Sequence, residues 1–397
     1  MRIAIVLLNE GRGSGEVARQ HAAALVRRGH EVAFIHAGNA GLVPGAVNID
    51  VLLDGKPLPT HEYLPAAGTS QRPVSTMSAN EAFAYLPHYE RALRRAGFVD
   101  LYIGHHANLP AIAVHRAAAA TGTPYALFVH GTGIEPRLAG GYADEVWDEI
   151  ELAIRRARGI ITTTEYVRDE LVRPLTGVPV SQFLVLPVGV DIDAYRPGAG
   201  EEARARYELP ARYVIAPGAL SAAKGPQNVV AATAHYHDLA QTVFIGDGDL
   251  RSELEERLGS RGRFLGFVPE ADKAALISGA TVLTAAPEKQ EHFGIIYLEA
   301  IASGTVPVAY HGGGVGTIVT ADVGRLTDRT PEALGSAIRG VLDDEELTAH
   351  LSAAGRRRAE RLFECEHLAD RLERWLAAVA RETTRRPARI HERTDAT

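Results

Sequence analysis

The sequence predicts an α/β protein of two domains, each built on a parallel sheet. Three observations carry that expectation. Short apolar runs rich in β-branched residues alternate with longer Ala-, Leu- and Arg-rich stretches of helical period, the pattern of parallel sheets covered on both faces by helices. The pattern breaks where Gly189-Val-Asp-Ile-Asp-Ala-Tyr-Arg-Pro-Gly-Ala-Gly leads into a charged Glu-Glu-Ala-Arg-Ala-Arg stretch, and then restarts. A chain of 397 residues, at about 150 residues per domain, accommodates two large cores.

The first strand, 2–8, is the run Arg2-Ile-Ala-Ile-Val-Leu-Leu8, cut off by Asn9-Glu10-Gly11. Further strands are expected at 31–36 (Glu-Val-Ala-Phe-Ile-His), 101–104, 125–129 (Tyr-Ala-Leu-Phe-Val), 159–163 and 183–187, with helices near 15–29, 81–96, 109–121, 142–157 and 165–174. These make a first domain, 1–190, in which the Pro-, Gly-, Ser- and Thr-rich segment 54–80 is a long loop. Residues 191–212 read as a linker. The second domain, 213–365, has strands at 213–216, 242–245, 263–265, 281–284 and 306–309 and helices near 225–237, 249–258, 270–278, 294–303 and 331–340. Helical character runs on through 345–381, with 366–381 as a C-terminal helix, and 382–397 lacks a core pattern and is expected to be a flexible tail. Two such halves joined by a hinge place a cleft between the C-terminal edges of the two sheets.

Charge and cysteine content narrow the function. The chain has 42 basic and 49 acidic residues, a net charge of −7, and no basic block in its folded part, which disfavours a binder that neutralises nucleic-acid phosphates and favours a small-molecule partner. The single cysteine, Cys365, excludes an internal disulfide and a Cys-rich zinc module and fits a reducing setting. The opening strand is cut off far short of the ~20 apolar residues of a membrane span, so the start reads as that of a cytoplasmic protein.

The stretch richest in chemistry is Glu291-His-Phe-Gly-Ile-Ile-Tyr-Leu-Glu299-Ala-Ile-Ala-Ser-Gly-Thr-Val-Pro-Val. A helix starting near Gly294 puts Glu291 on the loop before it and Glu299 about one turn in; carboxylates so placed suit hydroxyl recognition, each oxygen accepting hydrogen bonds. The backbone amides of Gly294 and Ile295, at that N-terminus, suit a phosphate. The plain alternative is a helix-entry carboxylate favoured by the macrodipole and a solvated face. Gly218-Ala-Leu-Ser-Ala-Ala-Lys224-Gly225 follows the first strand of the second domain, placing an ammonium beside exposed helix amides, a site suited to a diphosphate. Phe128-Val-His130-Gly-Thr-Gly133 puts a histidine at the C-terminal end of a buried strand, with Thr132 and Glu135 close behind, and Gly11-Arg-Gly13-Ser-Gly15 is a glycine-rich turn whose amides can approach an anion or an acceptor.

These stretches together resemble glycosyltransferase family 4, retaining nucleotide-sugar-dependent enzymes of the GT-B fold: two Rossmann-like domains with parallel sheets facing across a central cleft. The paired glutamates separated by seven residues, the small-residue helix and the Gly304-x-x-Pro307-Val ending carry the resemblance, and Gly29-His-Glu-Val extends it toward the N-terminus. It implies that Glu299 holds the donor's ribose hydroxyls, Glu291 the hydroxyls of its sugar, Lys224 its diphosphate and His130 the sugar near the anomeric carbon. It also implies that Gly218 and Phe267 line the donor site, the latter near the base, and that Gly13 and Gly15 serve the diphosphate or acceptor. The sequence departs from the pattern at Val188, usually Asn, at Ala219, usually Arg, and after Gly312-Gly313-Gly314, where Val315-Gly-Thr replaces a frequent Glu.

The activity implied is transfer of a sugar from a UDP- or GDP-sugar to the hydroxyl of a small-molecule, glycan or lipid acceptor, with no metal or other cofactor and at most peripheral membrane contact. A sugar-nucleotide 2-epimerase and a non-catalytic nucleotide-sugar-binding subunit are the alternatives. Asp191-Ile-Asp193 and Asp247-Gly-Asp249 have the Asp-x-Asp spacing of metal-dependent transferases but fit turns better. His105-His106 and His235-Tyr-His237 lack the partners of a zinc site and read as surface or cleft histidines. The Arg-rich segments 91–95 and 356–361 read as solvated helix faces, with docking to an anionic membrane as the sharper alternative.

Overall fold

The computed structural model describes residues 1–9, 13–38, 41–61 and 70–381, so the expected tail and Gly11 of the glycine-rich turn lie outside the described residues. The chain forms two compact units. The first comprises Met1–Ile161, Leu175–Leu184 and the chain from Asp370 onward; the second comprises Thr162–Pro174 and Val185–Ala369.

The strands, in chain order, are β1 (Arg2–Val6), β2 (Glu31–His36), β3 (Val47–Asp50), β4 (Leu58–Thr60), β5 (Gln71–Pro73), β6 (Leu101–His105), β7 (Tyr125–Val129), β8 (Gly159–Thr162) and β9 (Phe183–Val185), then β10 (Tyr213–Pro217), β11 (Gln241–Ile245), β12 (Gly262–Phe264), β13 (Val282–Ala285), β14 (Val306–Tyr310) and β15 (Arg325–Thr327). Seven of them form one sheet in the order β3-β2-β1-β6-β7-β8-β9, and six a second in the order β12-β11-β10-β13-β14-β15. The strands pair in parallel from β3 through β7 in the first sheet and throughout the second. Central strands β6, β7, β10 and β14 are buried at every residue, which is why they read as continuous apolar runs rather than alternating ones.

In each sheet the strand order reverses once, between β1 and β6 and between β10 and β13. Chain connections leave the sheet in opposite directions there, opening a crevice at the C-terminal strand ends.

Several elements differ from the sequence expectation. Strands β3 and β15 and the small parallel pair β4–β5 within 54–80 were not expected; at three or four residues each they are too short to show a period. The helix expected at 165–174 is a π-turn, Val167–Val172, running into Arg173–Thr176. That expected at 225–237 is Pro226–Ala232 followed by a 3-10 turn, Thr233–His235.

The helical stretch 345–381 is broken between Glu345–Leu362 and Cys365–Arg381. Val190 N donates to Phe363 O at 2.8 Å, and the Glu364 carboxylate accepts from the amides of Glu366 and His367 at 2.9 and 2.8 Å, so the break is capped on its far side. The last helix then packs in the first unit. A Cβ on Gly159 of β8 would lie 2.4 Å from Trp375 Cζ2, and Glu373 pairs with His30 at 2.9 Å and Arg28 at 3.3 Å.

The 191–212 stretch carries the helix Glu201–Arg206. Its neighbour is the helix Glu270–Gly279, where Asp272 accepts from Arg206 at 2.6 Å and from the Tyr207 hydroxyl at 2.7 Å.

Candidate functional site

In the second unit Gly218, Lys224 and Glu291 stand beside the strand-order reversal, whereas Phe267 follows the edge strand β12. Gly218 follows β10, and the turn after it ends in Lys224-Gly225. Gly225 has φ 64°, and a Cβ on it would sit 1.8 Å from the carbonyl oxygen of Ala286, just past β13, so only glycine lets the lysine turn lie against that strand end. The Lys224 ammonium, half-exposed, lies 3.0 Å from Oε1 of Glu291. The loop bearing Glu291 is backed by the glycine turn after β14: Gly314 N donates to Glu291 O at 2.7 Å. Gly294, with φ 90°, caps the helix Ile295–Ala302. The first amides of a helix have no partner within it, so Gly294 and Ile295 stand where an anion is favoured.

Glu299 lies one turn along this helix and is 7% exposed. Its Oε1 accepts from Lys273 Nζ at 2.8 Å, while Oε2 is buried without a hydrogen-bond partner. Lys273 also sits 2.9 Å from Glu270 Oε1, which accepts from the Tyr195 hydroxyl at 2.6 Å. Burial pushes the Glu299 carboxyl above the usual range, against the pull of Lys273. Burial also opposes the charge on Lys273, but the carboxylates of Glu299 and Glu270 outweigh it and hold that ammonium above its ordinary value.

The two signature glutamates are therefore held by different lysines, Glu291 by Lys224 and Glu299 by Lys273. Lys273 was missed by sequence reasoning, because its only local signal is Glu270 three residues earlier, the pattern of a solvated ion pair. Phe267, following β12 and Gly266, is 78% exposed. Asp247 spends one oxygen on the Gly248 amide at 2.8 Å and the other on Arg251 at 3.1 Å, and Asp191 accepts from the amides of Asp193 and Ala194 at 2.9 and 3.0 Å, so both Asp-x-Asp sequences hold turns.

In the first unit His130 stands at the end of β7, nearly buried, and is hydrogen-bonded to His105 Nδ1 at 3.0 Å. Of the surface or cleft reading of His105 and His106, the surface half fails: both are buried at the end of β6, beside the reversal point. The His61 ring lies 4.0 Å from that of His106, and His21 lies 5.9 Å from His105. Burial pushes His21 and His61 down to about 4, and His105 and His106 well below their ordinary value, so these four rings are neutral at pH 7. His106 has φ 85°, uncommon for a residue with a Cβ. Uncharged imidazoles each carry one donor and one acceptor, the complement of a hydroxyl. Gly13 and Gly15 lie in the first turn of the helix Gly13–Arg27, two residues earlier than expected; Gly13 is exposed and Gly15 buried.

The arginine segments divide. Arg91, Arg94 and Arg95 are exposed, but Arg356 donates to the carbonyls of Ile192, Tyr195 and Ala302 at 2.7–3.0 Å, and Arg358 to those of Ile318 and Thr317 at 3.1 and 2.9 Å. The 356–361 run is thus partly structural rather than a solvated face. Among the described residues no helix is long and apolar enough to cross a membrane.

Two family models match the chain: Glycosyltransferase Family 4 over residues 11–194 and Glycosyl transferases group 1 over residues 201–358. The chain is 32% identical over 257 residues to D-inositol 3-phosphate glycosyltransferase of Xylanimonas cellulosilytica, covering 60% of each chain. It is 29% identical over 230 residues to a GDP-mannose-dependent alpha-(1-6)-phosphatidylinositol dimannoside mannosyltransferase of Mycobacterium tuberculosis, covering 56% of this chain and 58% of that one. The matches thus span about three fifths of these curated relatives. Among solved structures, sucrose-phosphate synthase from Thermosynechococcus elongatus superimposes with a TM-score of 0.76 at 21% identity, over 95% of this chain and 99% of that one. Anabaena HepE in complex with UDP and glucose superimposes with a TM-score of 0.72 at 18% identity, over 95% and 100%. Both share the fold.

Proposed function

This chain belongs to the family 4, group 1 glycosyltransferases of GT-B fold, and we propose that it is a retaining enzyme that moves a sugar from a nucleoside diphosphate sugar to an acceptor hydroxyl. The observation that carries the reading is the convergence of Lys224, Glu291, the Gly294 helix N-terminus and Glu299 beside the strand-order reversal of the second sheet.

On this reading the diphosphate takes the Lys224 ammonium and the amides at Gly294 and Ile295, Glu291 and His130 hold the sugar, and Glu299 anchors the ribose. Phe267 and Gly218 line the donor site, and Gly13 and Gly15 serve the diphosphate or acceptor side. The bond from the anomeric carbon to the diphosphate oxygen breaks as the acceptor oxygen bonds to that carbon on the same face. The acceptor's proton passes to the departing diphosphate. No enzyme carboxylate attacks, and the leaving charge is met by Lys224 and helix amides without a metal ion.

The first experiment is thermal stabilisation of the purified protein by UDP, GDP, ADP and TDP at about 1 mM; a nucleotide at 100 times its Kd adds about 2.7 kcal/mol. A shift with one of them, lost in Glu299→Ala, supports the donor site and selects the base; no shift with any removes it. The curated relatives make GDP-mannose as donor and inositol-based acceptors the first to try in the following assay of acceptor-dependent nucleotide release. A non-catalytic nucleotide-sugar binder is favoured by one observation, Ala219 where the family pattern has an arginine. Release of nucleotide that depends on acceptor separates the two.

A further inference from the structure

Resting on the donor reading above, we infer that Lys273 is a positioning residue that makes Glu299 a selective acceptor for the hydroxyls of the donor's ribose. Glu299 has two oxygens in different states: Oε1 is taken by Lys273 Nζ at 2.8 Å, and Oε2 is buried with no partner. An ionised carboxylate has about four acceptor positions; the Lys273 ammonium takes one and the Tyr195 hydroxyl also acts on the group, so the positions on Oε2 are those left for a hydroxyl.

The lysine is itself fixed. Glu270 Oε1 lies 2.9 Å from its ammonium, the Tyr195 ring lies beneath it at 5.7 Å, and the Tyr195 hydroxyl donates to the same Glu270 oxygen at 2.6 Å. The Tyr195 carbonyl is held in turn by Arg356 at 2.8 Å. Three segments of the second unit thus set the direction of one carboxylate.

The charged and titratable groups facing Glu299 account for its state. The helix Glu270–Gly279 presents Lys273 and Glu270, and the segment after Asp191 presents Tyr195. The helix Glu345–Leu362 brings Arg356, engaged with backbone carbonyls and Glu360. Strand β13 carries no ionisable side chain, and the one on β14, Tyr310, lies under Arg329. Lys273 is therefore the cation in contact with Glu299, and without it burial drives the carboxyl toward its neutral form, which has lost half its acceptor character.

The test measures Kd for UDP, GDP and ADP and for their 2′,3′-dideoxy counterparts between pH 5 and 9. The wild type is expected to prefer the riboside by about tenfold at pH 7.5, the worth of a hydrogen bond to a charged group. In Lys273→Met the preference falls to near unity at pH 7.5 and returns only toward about pH 9, where an unpaired buried carboxyl ionises. Lys273→Arg keeps most of it. Protonation of the diphosphate affects both ligands of a pair alike and cancels from the ratio. A Lys273→Met protein that folds and keeps the wild-type ratio at every pH overturns the inference.

Should Lys273→Met not fold, the wild type still decides. Its ratio is expected to decline as pH falls and Glu299, held above the usual carboxyl range by burial, protonates, and a ratio flat across the whole range overturns the inference. A wild type that binds none of the three nucleotides, or binds ribosides and dideoxyribosides equally, overturns the donor reading itself.

Discussion

Lys224 and Glu291 close a 3.0 Å ion pair across 67 residues of sequence, joining the turn after β10 to the loop before the helix Ile295–Ala302. Both partners are partly exposed, so the pair adds little stability. It brings together the two side chains proposed above for the diphosphate and for the sugar.

Removing either partner is accordingly expected to damage turnover and spare the fold. Lys224→Ala should lower kcat/KM by about 10²–10³, the usual cost of losing one group that stabilises a developing negative charge. Glu291→Ala should act chiefly on kcat. Nucleoside diphosphate release with saturating acceptor measures both, and a Glu291→Ala enzyme with wild-type turnover would remove that carboxylate from the site.

Gly294→Ala is expected to disturb the same place through the backbone. At φ 90° a side chain is strained, and the new Cβ would meet Tyr297 Cδ2 at 2.6 Å. The helix start must shift, at a cost of about 1–3 kcal/mol, and its amides move with it. Urea denaturation should show the lost stability, and donor KM should rise.

Gly159→Ala addresses the first unit. A methyl there collides with the Trp375 ring at 2.4 Å and pushes the last helix off β8. Overpacking of this kind costs about 1–3 kcal/mol. Since Trp375 is one of only two tryptophans, its fluorescence should change in the native protein as well as at a lowered denaturation midpoint.

The histidine cluster makes the first unit sensitive to acid. His21 and His61 are held down at about 4, and His105 and His106 below their ordinary value, by burial. Unfolding restores values near 6.5, so the unfolded chain binds more protons in the interval between. The stability these rings confer is full above about pH 6.5 and is lost as pH falls toward 4. Thermal unfolding at pH 7.5 and 5 should differ by at least about 4 °C, and His106→Phe should narrow that difference.

Most of the layout was readable because it is local. Lys224, Glu291, Gly294 and His130 each stand at a joint between an apolar run and a helical stretch, and such joints show in the order of residues along the chain. What escaped is non-local. Lys273 looks like one half of a surface pair with Glu270 until the fold brings Glu299, 26 residues on, to its other side. Arg356 sits in a run of arginines that reads as a wet helix face, yet its guanidinium meets carbonyls from separate segments. His105 and His106 follow an apolar strand as an exposed turn residue would. The fold then packs His21, His61, Phe128 and His130 around them, away from water.

The return of the last helix to β8 bears on the order of events during synthesis. Most of the first unit precedes the second along the sequence, but Trp375, which covers Gly159, follows it. A ribosome will have delivered all of the second unit before the first can finish its own packing. The amino-terminal half therefore waits, part-built, for its final piece, reversing the usual expectation that the earlier domain folds first.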